Sequence, residues 1–122
     1  MNLSPQQQAR YARHLTLPEI GAAGQVRLSA GRVLVVGAGG LGSPAALYLA
    51  AAGAGRIGVM DGDALELSNL QRQILHRTAD LGRPKAASAA DALRALNPEV
   101  EIVPIPQRLT AANGDGVIGG YD

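Results

Sequence analysis

The sequence predicts an α/β fold, and three patterns in its 122 residues carry that expectation. Short β-type runs occur at Arg32-Val33-Leu34-Val35-Val36, at Arg56-Ile57-Gly58-Val59-Met60-Asp61 and from Val100 to Pro106. The first has no polar alternation, which suits a parallel strand covered on both faces. Alanine-rich stretches of helical length separate the runs, and Gly37-Ala38-Gly39-Gly40-Leu41-Gly42 joins the first run to the first such stretch. Strand, helix, strand, helix, strand is the first half of a Rossmann-like, doubly wound, mostly parallel sheet.

Each element has a local reason. Ser4-Pro5-Gln6-Gln7 is a capping-box pattern with proline at the first helical position, so a helix is expected from Pro5 to about His14, with Pro18 ending that region. A second helix over Ala22 to Ser29 is weakened by Gly24, and Gly31 releases the chain into the first strand. Residues 1–30 are thus an N-terminal helical arm and residues 31–122 a βαβαβ half-domain. Ser43 is the expected N-cap of a helix with Pro44 in its first turn, and Gly53 ends it after Ala52. Ser68 to Gln71 repeats the capping pattern and predicts a short helix from Asn69 to about Leu75. Pro84 to Leu96 is the next helix, stopped by Asn97-Pro98. In the tail, Thr110 is a candidate cap, but Gly114, Gly116, Gly119 and Gly120 each cost a helix about 1 kcal/mol relative to Ala. The alternation calls for a fourth strand at Tyr121-Asp122, so the sequence is expected to be a fragment.

Composition narrows the function classes. Eleven basic against ten acidic side chains leave a formal charge of +1, which disfavours nonspecific nucleic-acid binding. With three Tyr and no Phe or Trp there is no aromatic platform for stacking bases. Zero cysteines exclude a disulfide scaffold, a thiolate nucleophile and a cysteine zinc site within these residues. The first ten residues are polar and carry no signal-type apolar region, which makes the cytoplasm the expected location. No charge falls between Arg32 and Arg56, but glycines and Pro44 divide that stretch, so no membrane span is expected.

The chemistry concentrates around the glycine loop. Gly-x-Gly-x-x-Gly between a strand and a helix lets backbone approach phosphate oxygens, and the helix N-terminus supplies unpaired amides and a favourable dipole. Gly37, Gly39, Gly40, Leu41 and Gly42 are therefore nucleotide-binding candidates. Asp61, 19 residues beyond Gly42, stands where a carboxylate can accept ribose hydroxyls. NAD and ATP both suit such a crevice, and the lysine-containing phosphate loop of ordinary ATPases is absent. The basic residues Arg72 and Lys85 favour a triphosphate, whose charge needs cations, over the pyrophosphate of a dehydrogenase cofactor. Asn69 and Gln73 add neutral hydrogen bonds. Lys85 is the only lysine in the chain. An NAD-binding segment of a dehydrogenase or reductase is the alternative.

Five motifs in order, Arg10-Tyr11-Ala12-Arg13-His14, the glycine loop, Asp61-Gly62-Asp63, Ser68-Asn69-Leu70-Gln71-Arg72-Gln73 and Gly82-Arg83-Pro84-Lys85, resemble the adenylyltransferases that activate ubiquitin-like sulfur-carrier proteins. The molybdopterin-synthase and thiamine-biosynthesis adenylyltransferases are similar, and ubiquitin-activating enzymes share the fold. The resemblance implies attack of a carrier's C-terminal Gly-Gly carboxylate on the α-phosphate of ATP, with Mg²⁺ assisting. It also implies nucleotide contacts from Gly40 and its neighbours, ribose contact from Asp61, and phosphate contacts from Asn69, Arg72 and Lys85. Arg13 would be an arginine finger donated to the partner's site in a homodimer. Family members continue through an Asp-x-x-Asp-Asn stretch with a metal-binding acid, two Cys-x-x-Cys zinc pairs and the carrier-binding sheet. Zinc is thus expected only beyond Asp122, and these residues alone are expected to be inactive or nearly so.

Overall fold

In the computed structural model, residues 2–122 are described. Three parallel strands, β1 (Arg32–Val36), β2 (Arg56–Met60) and β3 (Glu101–Ile105), form one sheet in the order β1-β2-β3. The register pairs Arg32 with Arg56 and Arg56 with Glu101, so all three carboxyl ends finish along one edge. Before the sheet come α1 (Pro5–Arg10), α2 (Ala12–Leu15) and α3 (Gly21–Ala30). The crossovers are α4 (Gly42–Ala52) and α5 (Lys85–Leu96), and the short α6 (Gly114–Ile118) lies in the tail.

The core forms where the crossover helices meet the sheet. Small residues Ala46 and Ala50 of α4 and Ala89 and Ala90 of α5 let the helices approach Ile57, Val59 and Ile102, with Leu93 filling the remaining space. Each fully buried Ile, Val or Leu contributes about 1.5–3 kcal/mol. On the opposite face the tail returns, placing the Tyr121 ring against Gly58. The backbone N–H of Asp122 then donates to the Arg32 carbonyl at 2.8 Å, and its carboxylate accepts from the Arg32 N–H at 2.9 Å. Both backbone groups of Arg32 point away from β2, so the tail engages the other edge of β1. That is the edge a fourth strand occupies in the doubly wound order.

Several expectations change. Pro5 to His14 is not one helix: Tyr11 leaves helical geometry (φ −100°, ψ 17°) and turns inward to 3% exposure, where its hydroxyl accepts a hydrogen bond from Asn97 at 2.9 Å. Tertiary burial wins over helix continuation. Tyr11 packs over Gly53, whose left-handed φ of 88° ends α4; a β-carbon there would lie 2.6 Å from the Tyr11 ring. Gln25, fully buried, donates to the Ala52 carbonyl and ties α3 to the same end of α4. β1 is not buried on both faces: it is an edge strand, and Val36 is 52% exposed. The fully apolar environment belongs to β2, where Ile57 to Met60 are all buried.

The helix expected over Asn69 to Leu75 does not form. A single 3₁₀ turn covers Leu67–Asn69, capped by Glu66 rather than Ser68. The chain beyond it runs through turns that carry Gln73, Leu75 and His76 into the interior, leaving Ile74 63% exposed. Three buried anchors over four residues suit this irregular path better than one helical face. Ser43 is not an N-cap either: α4 begins one residue earlier, and the Ser43 hydroxyl donates to the Gly39 carbonyl.

Candidate functional site

The glycine loop sits at the carboxyl edge of the sheet and is held peptide by peptide. Gly37, at φ 101°, donates its N–H to the Met60 carbonyl at 2.7 Å, extending the β1–β2 ladder by one bond. The Ala38 N–H donates to Asp61 Oδ2 at 2.9 Å, and the Ala38 carbonyl accepts from His76 Nε2 at 2.8 Å. Ser43 holds the Gly39 carbonyl with its N–H and its hydroxyl. Among the described residues the N–H groups of Gly39, Gly40, Leu41 and Gly42 have no partner. Four free amides at the start of an eleven-residue helix form a cradle for an anion.

Asp61 does more than await a ribose. Its Oδ1 accepts the Asp63 N–H at 2.8 Å while Oδ2 braces the loop. A carboxylate has about four lone-pair sites, so two remain for a ligand. Beside it lies a cavity of about 320 Å³ lined by Val36, Gly37, Met60, Asp61, Gly62, Asp63, Gln107, Arg108 and Leu109. Larger apolar grooves of about 490 and 850 Å³ lie mainly along the N-terminal arm, away from these polar groups. Chemistry, not volume, locates the site.

Two of the expected partners reach the loop. The Arg72 side chain is exposed, its Cγ and Cδ lie 3.9 Å from where a β-carbon on Gly40 would stand, and its Nη1 donates to the Ser68 carbonyl at 3.1 Å. Gln73 is 4% exposed, its Nε2 lies 3.8 Å from the corresponding point on Gly39, and its Oε1 is buried without a hydrogen-bond partner. An orphaned amide oxygen on a side chain whose nitrogen lies at the loop fits a site completed by a polar ligand. Asn69 positions rather than points: its Oδ1 accepts the Glu66 N–H, and its carbonyl accepts the N–H groups of Arg72 and Gln73.

Lys85 opens α5 at the same edge, its N–H donating to the Asp63 carbonyl at 2.9 Å. It is 7% exposed and forms no ion pair among the described residues. Ser88, one turn later on the same helix face, bonds to the His76 ring that holds Ala38, which places Lys85 over the loop side of α5. Arg13 is not brought to this edge. It is exposed on α2, whose neighbours Tyr11 and Gln25 pack at Ala52 and Gly53, roughly 15 Å along α4 from the loop. Asp122 is likewise remote, paired with Arg32 at the amino end of β1.

A buried polar cluster beneath the loop has no counterpart in the sequence reading. His76 Nδ1 lies 2.8 Å from Ser88 Oγ, which lies 3.3 Å from Asp80 Oδ2. Asp80 is 3% exposed and accepts from Arg83 at 2.7 Å and from Arg77 at 3.1 Å. A lone serine in the alanine face of α5 is the one sequence signal that marks it.

Arg83, more than the weaker contribution of Arg77, holds the Asp80 carboxyl below its usual pKa against the opposing effect of burial. A carboxyl depressed on folding stabilises the fold above its unfolded pKa of about 3.9, and that contribution is lost as pH falls through the folded value. Thermal unfolding between pH 6 and pH 3 is therefore expected to show an acid-side loss of stability that is shallower in Asp80→Asn. Identical acid limbs for the two proteins would refute the assignment.

Comparison with known proteins bears on this arrangement. The ThiF family model matches residues 11–122. The chain belongs to the ThiF family. Relatives of this ThiF-family chain include the adenylyltransferase and sulfurtransferase MOCS3 of Bos taurus, 55% identical over 120 residues. The match takes in 98% of this chain and 26% of that protein. The SAMP-activating enzyme E1 of Haloferax volcanii is 49% identical over 122 residues, all of this chain and 45% of that enzyme. The chain thus spans a quarter to less than half of the curated relatives it matches. Among solved structures, E. coli tRNA N6-threonylcarbamoyladenosine dehydratase TcdA in complex with AMP superposes with a TM-score of 0.91 at 30% identity, over 99% of this chain and 49% of that one. ThiF-family membership accounts for the Rossmann-like half-sheet and the ordered motifs along it.

Proposed function

We propose that this chain forms the ATP-binding part of an adenylyltransferase that activates the C-terminal Gly-Gly carboxylate of a ubiquitin-like sulfur-carrier protein. The observation that carries the reading is the convergence of four free loop amides, the Arg72 stem against Gly40 and the buried Lys85, without an ion pair, on one sheet edge. Such a set suits a polyanion rather than an uncharged ligand. The names of the adenylyltransferase and activating-enzyme relatives, and the AMP in the TcdA complex, support an adenine nucleotide.

In this reaction a carboxylate oxygen of the carrier bonds to the α-phosphorus of ATP, and the bond from that phosphorus to the bridging oxygen of the β-phosphate breaks, releasing pyrophosphate. The chain's task is positioning and charge neutralisation. Gly37 and the amides of Gly39, Gly40, Leu41 and Gly42 would cradle phosphate, Asp61 would take ribose hydroxyls with its remaining lone pairs, and Arg72 and Lys85 would neutralise the phosphates. Gln73 would hydrogen-bond at the loop, with Asn69 holding its turn. Arg13, remote within one chain, would serve the site of a second copy, so the active form would be a homodimer. The arm of residues 1–30 would carry that finger and residues 31–122 the nucleotide.

The described residues contain no group of three or more His, Cys, Asp or Glu side chains able to hold a metal. Mg²⁺, when bound, would help neutralise the triphosphate charge. No helix among the described residues is long and apolar enough to cross a membrane. The reaction would take place in the cytoplasm.

Equilibrium titration tests the reading. ATP is expected to bind saturably, and Arg72→Ala to weaken it by about tenfold, as loss of one charge-assisted hydrogen bond does. Tighter binding of NADH than of ATP would support a dehydrogenase segment instead and end the proposal.

A further inference from the structure

We infer that His76 is a positioning residue that locks the Ala38–Gly39 peptide so that the Gly39 N–H faces the phosphates of the bound nucleotide. The inference rests on the ATP reading for the ligand, but its geometry stands on this chain alone. A backbone carbonyl only accepts, so His76 Nε2, 2.8 Å from the Ala38 oxygen, carries the proton and donates it. The peptide unit is planar and trans, so its C=O and N–H point in opposite directions. Holding the Ala38 carbonyl inward turns the Gly39 N–H outward, where it has no partner among the described residues.

The lock is needed because this segment can rotate. A flip of the Ala38–Gly39 peptide rotates ψ of Ala38 and φ of Gly39, and Gly39, having no side chain, tolerates the new φ at little steric cost. A flipped unit would bury the N–H and present a carbonyl to the phosphates, replacing an attraction with a repulsion. Asp61 holds the preceding N–H at 2.9 Å, and Ser43 holds the following carbonyl. His76 supplies the remaining restraint.

The ring is itself fixed. Ser88 Oγ meets Nδ1 at 2.8 Å, and behind it stands Asp80, anchored by Arg83 and Arg77. At 7% exposure the imidazole has little room to turn away. Because the donor is Nε2–H, it is present in the neutral tautomer and in the imidazolium alike.

His76→Gln and His76→Asn separate this role from simple packing. A Gln amide nitrogen lies near the place of Nε2 and can still donate to Ala38. The Asn amide lies near Nδ1, where it meets Ser88 but falls short of the loop. Two readouts apply to the full chain: hydrogen exchange, without nucleotide, of the hydrogen-bonded Gly37 and Ala38 amides of the loop, and dissociation constants for ATP and for adenosine, which lacks phosphate. The expected result for His76→Asn is loop exchange about tenfold faster and ATP binding about tenfold weaker with adenosine binding unchanged, while His76→Gln stays within about threefold of wild type.

Unchanged exchange and ATP affinity in His76→Asn, equal impairment of the two variants, or equal loss of ATP and adenosine binding overturns the inference. Fast exchange in His76→Asn alone, in a protein that binds no ATP at all, keeps the lock and removes the ATP reading. If His76→Asn does not fold, Ser88→Ala, which removes the hydrogen bond holding Nδ1, is expected to speed loop exchange by about threefold, and no change there overturns the inference equally.

Discussion

Gly42→Ala is expected to destabilise the protein by about 3 kcal/mol, the upper end of what overpacking against rigid neighbours costs. The reason is contact rather than conformation, since Gly42 does not have a positive φ. A β-carbon built there would overlap the carbonyl oxygen and carbon of Gly37. That backbone cannot step aside: the Gly37 N–H is bonded to Met60 at the end of the β1–β2 ladder, and Ser43 on the other flank grips Gly39. Relief would require breaking the ladder or displacing the start of α4. Gly40→Ala is the matched control, two residues away in the same motif. The nearest atoms to its β-carbon are the flexible Arg72 methylenes at 3.9 Å, so its effect on stability is expected within about 0.5 kcal/mol. Urea denaturation followed by circular dichroism compares the two directly, and equal midpoints would show that the loop backbone can yield where the geometry says it cannot.

The contrast between these glycines also shows what a sequence can carry. Gly-x-Gly-x-x-Gly was legible because its spacing is fixed by backbone contact, and Gly42 against Gly37 is such a contact. The three strands and α5 were legible because apolar runs and alanine periodicity reflect burial that every homogeneous core imposes. Asn69 to Leu75 was not, because a capping pattern is a local preference of about 1 kcal/mol, while burial of Gln73, Leu75 and His76 is a tertiary demand. β1 was misjudged for a related reason: Val33 to Val36 records the environment of an inner strand, but among the described residues only Asp122 reaches its outer edge. Residues of the site divide likewise. Asp61, Arg72 and Gln73 fall at the loop as their positions after β2 suggested, whereas Arg13 stays at the far end of α4. The link from Asp80 through Ser88 and His76 to Ala38 joins residues up to 50 positions apart without any repeating spacing, so nothing periodic could reveal it.

Lys85→Met is expected to separate binding from stability. All seven ion pairs among the described residues belong to arginines, and the one lysine, at 7% exposure, has none. Its Nζ is not among the buried polar atoms that lack a hydrogen bond, so the stem is buried while the ammonium keeps contact with solvent and stands ready for an incoming polyanion. Methionine keeps the apolar stem and removes the charge. The unfolding midpoint of the nucleotide-free variant is therefore expected to stay close to that of wild type. Its ATP affinity is expected to fall about 10- to 150-fold, the equivalent of about 1.5–3 kcal/mol for a hydrogen bond to a charged group. The stabilisation that saturating ATP confers should shrink by the same amount, because ligand-linked stability follows affinity. A purely structural lysine would show the reverse pattern, a lower midpoint with unchanged ATP affinity, and calorimetric titration beside thermal unfolding distinguishes the two. The unchanged midpoint is the sharper criterion, since many substitutions weaken binding but few that remove a structural contact leave the empty protein equally stable.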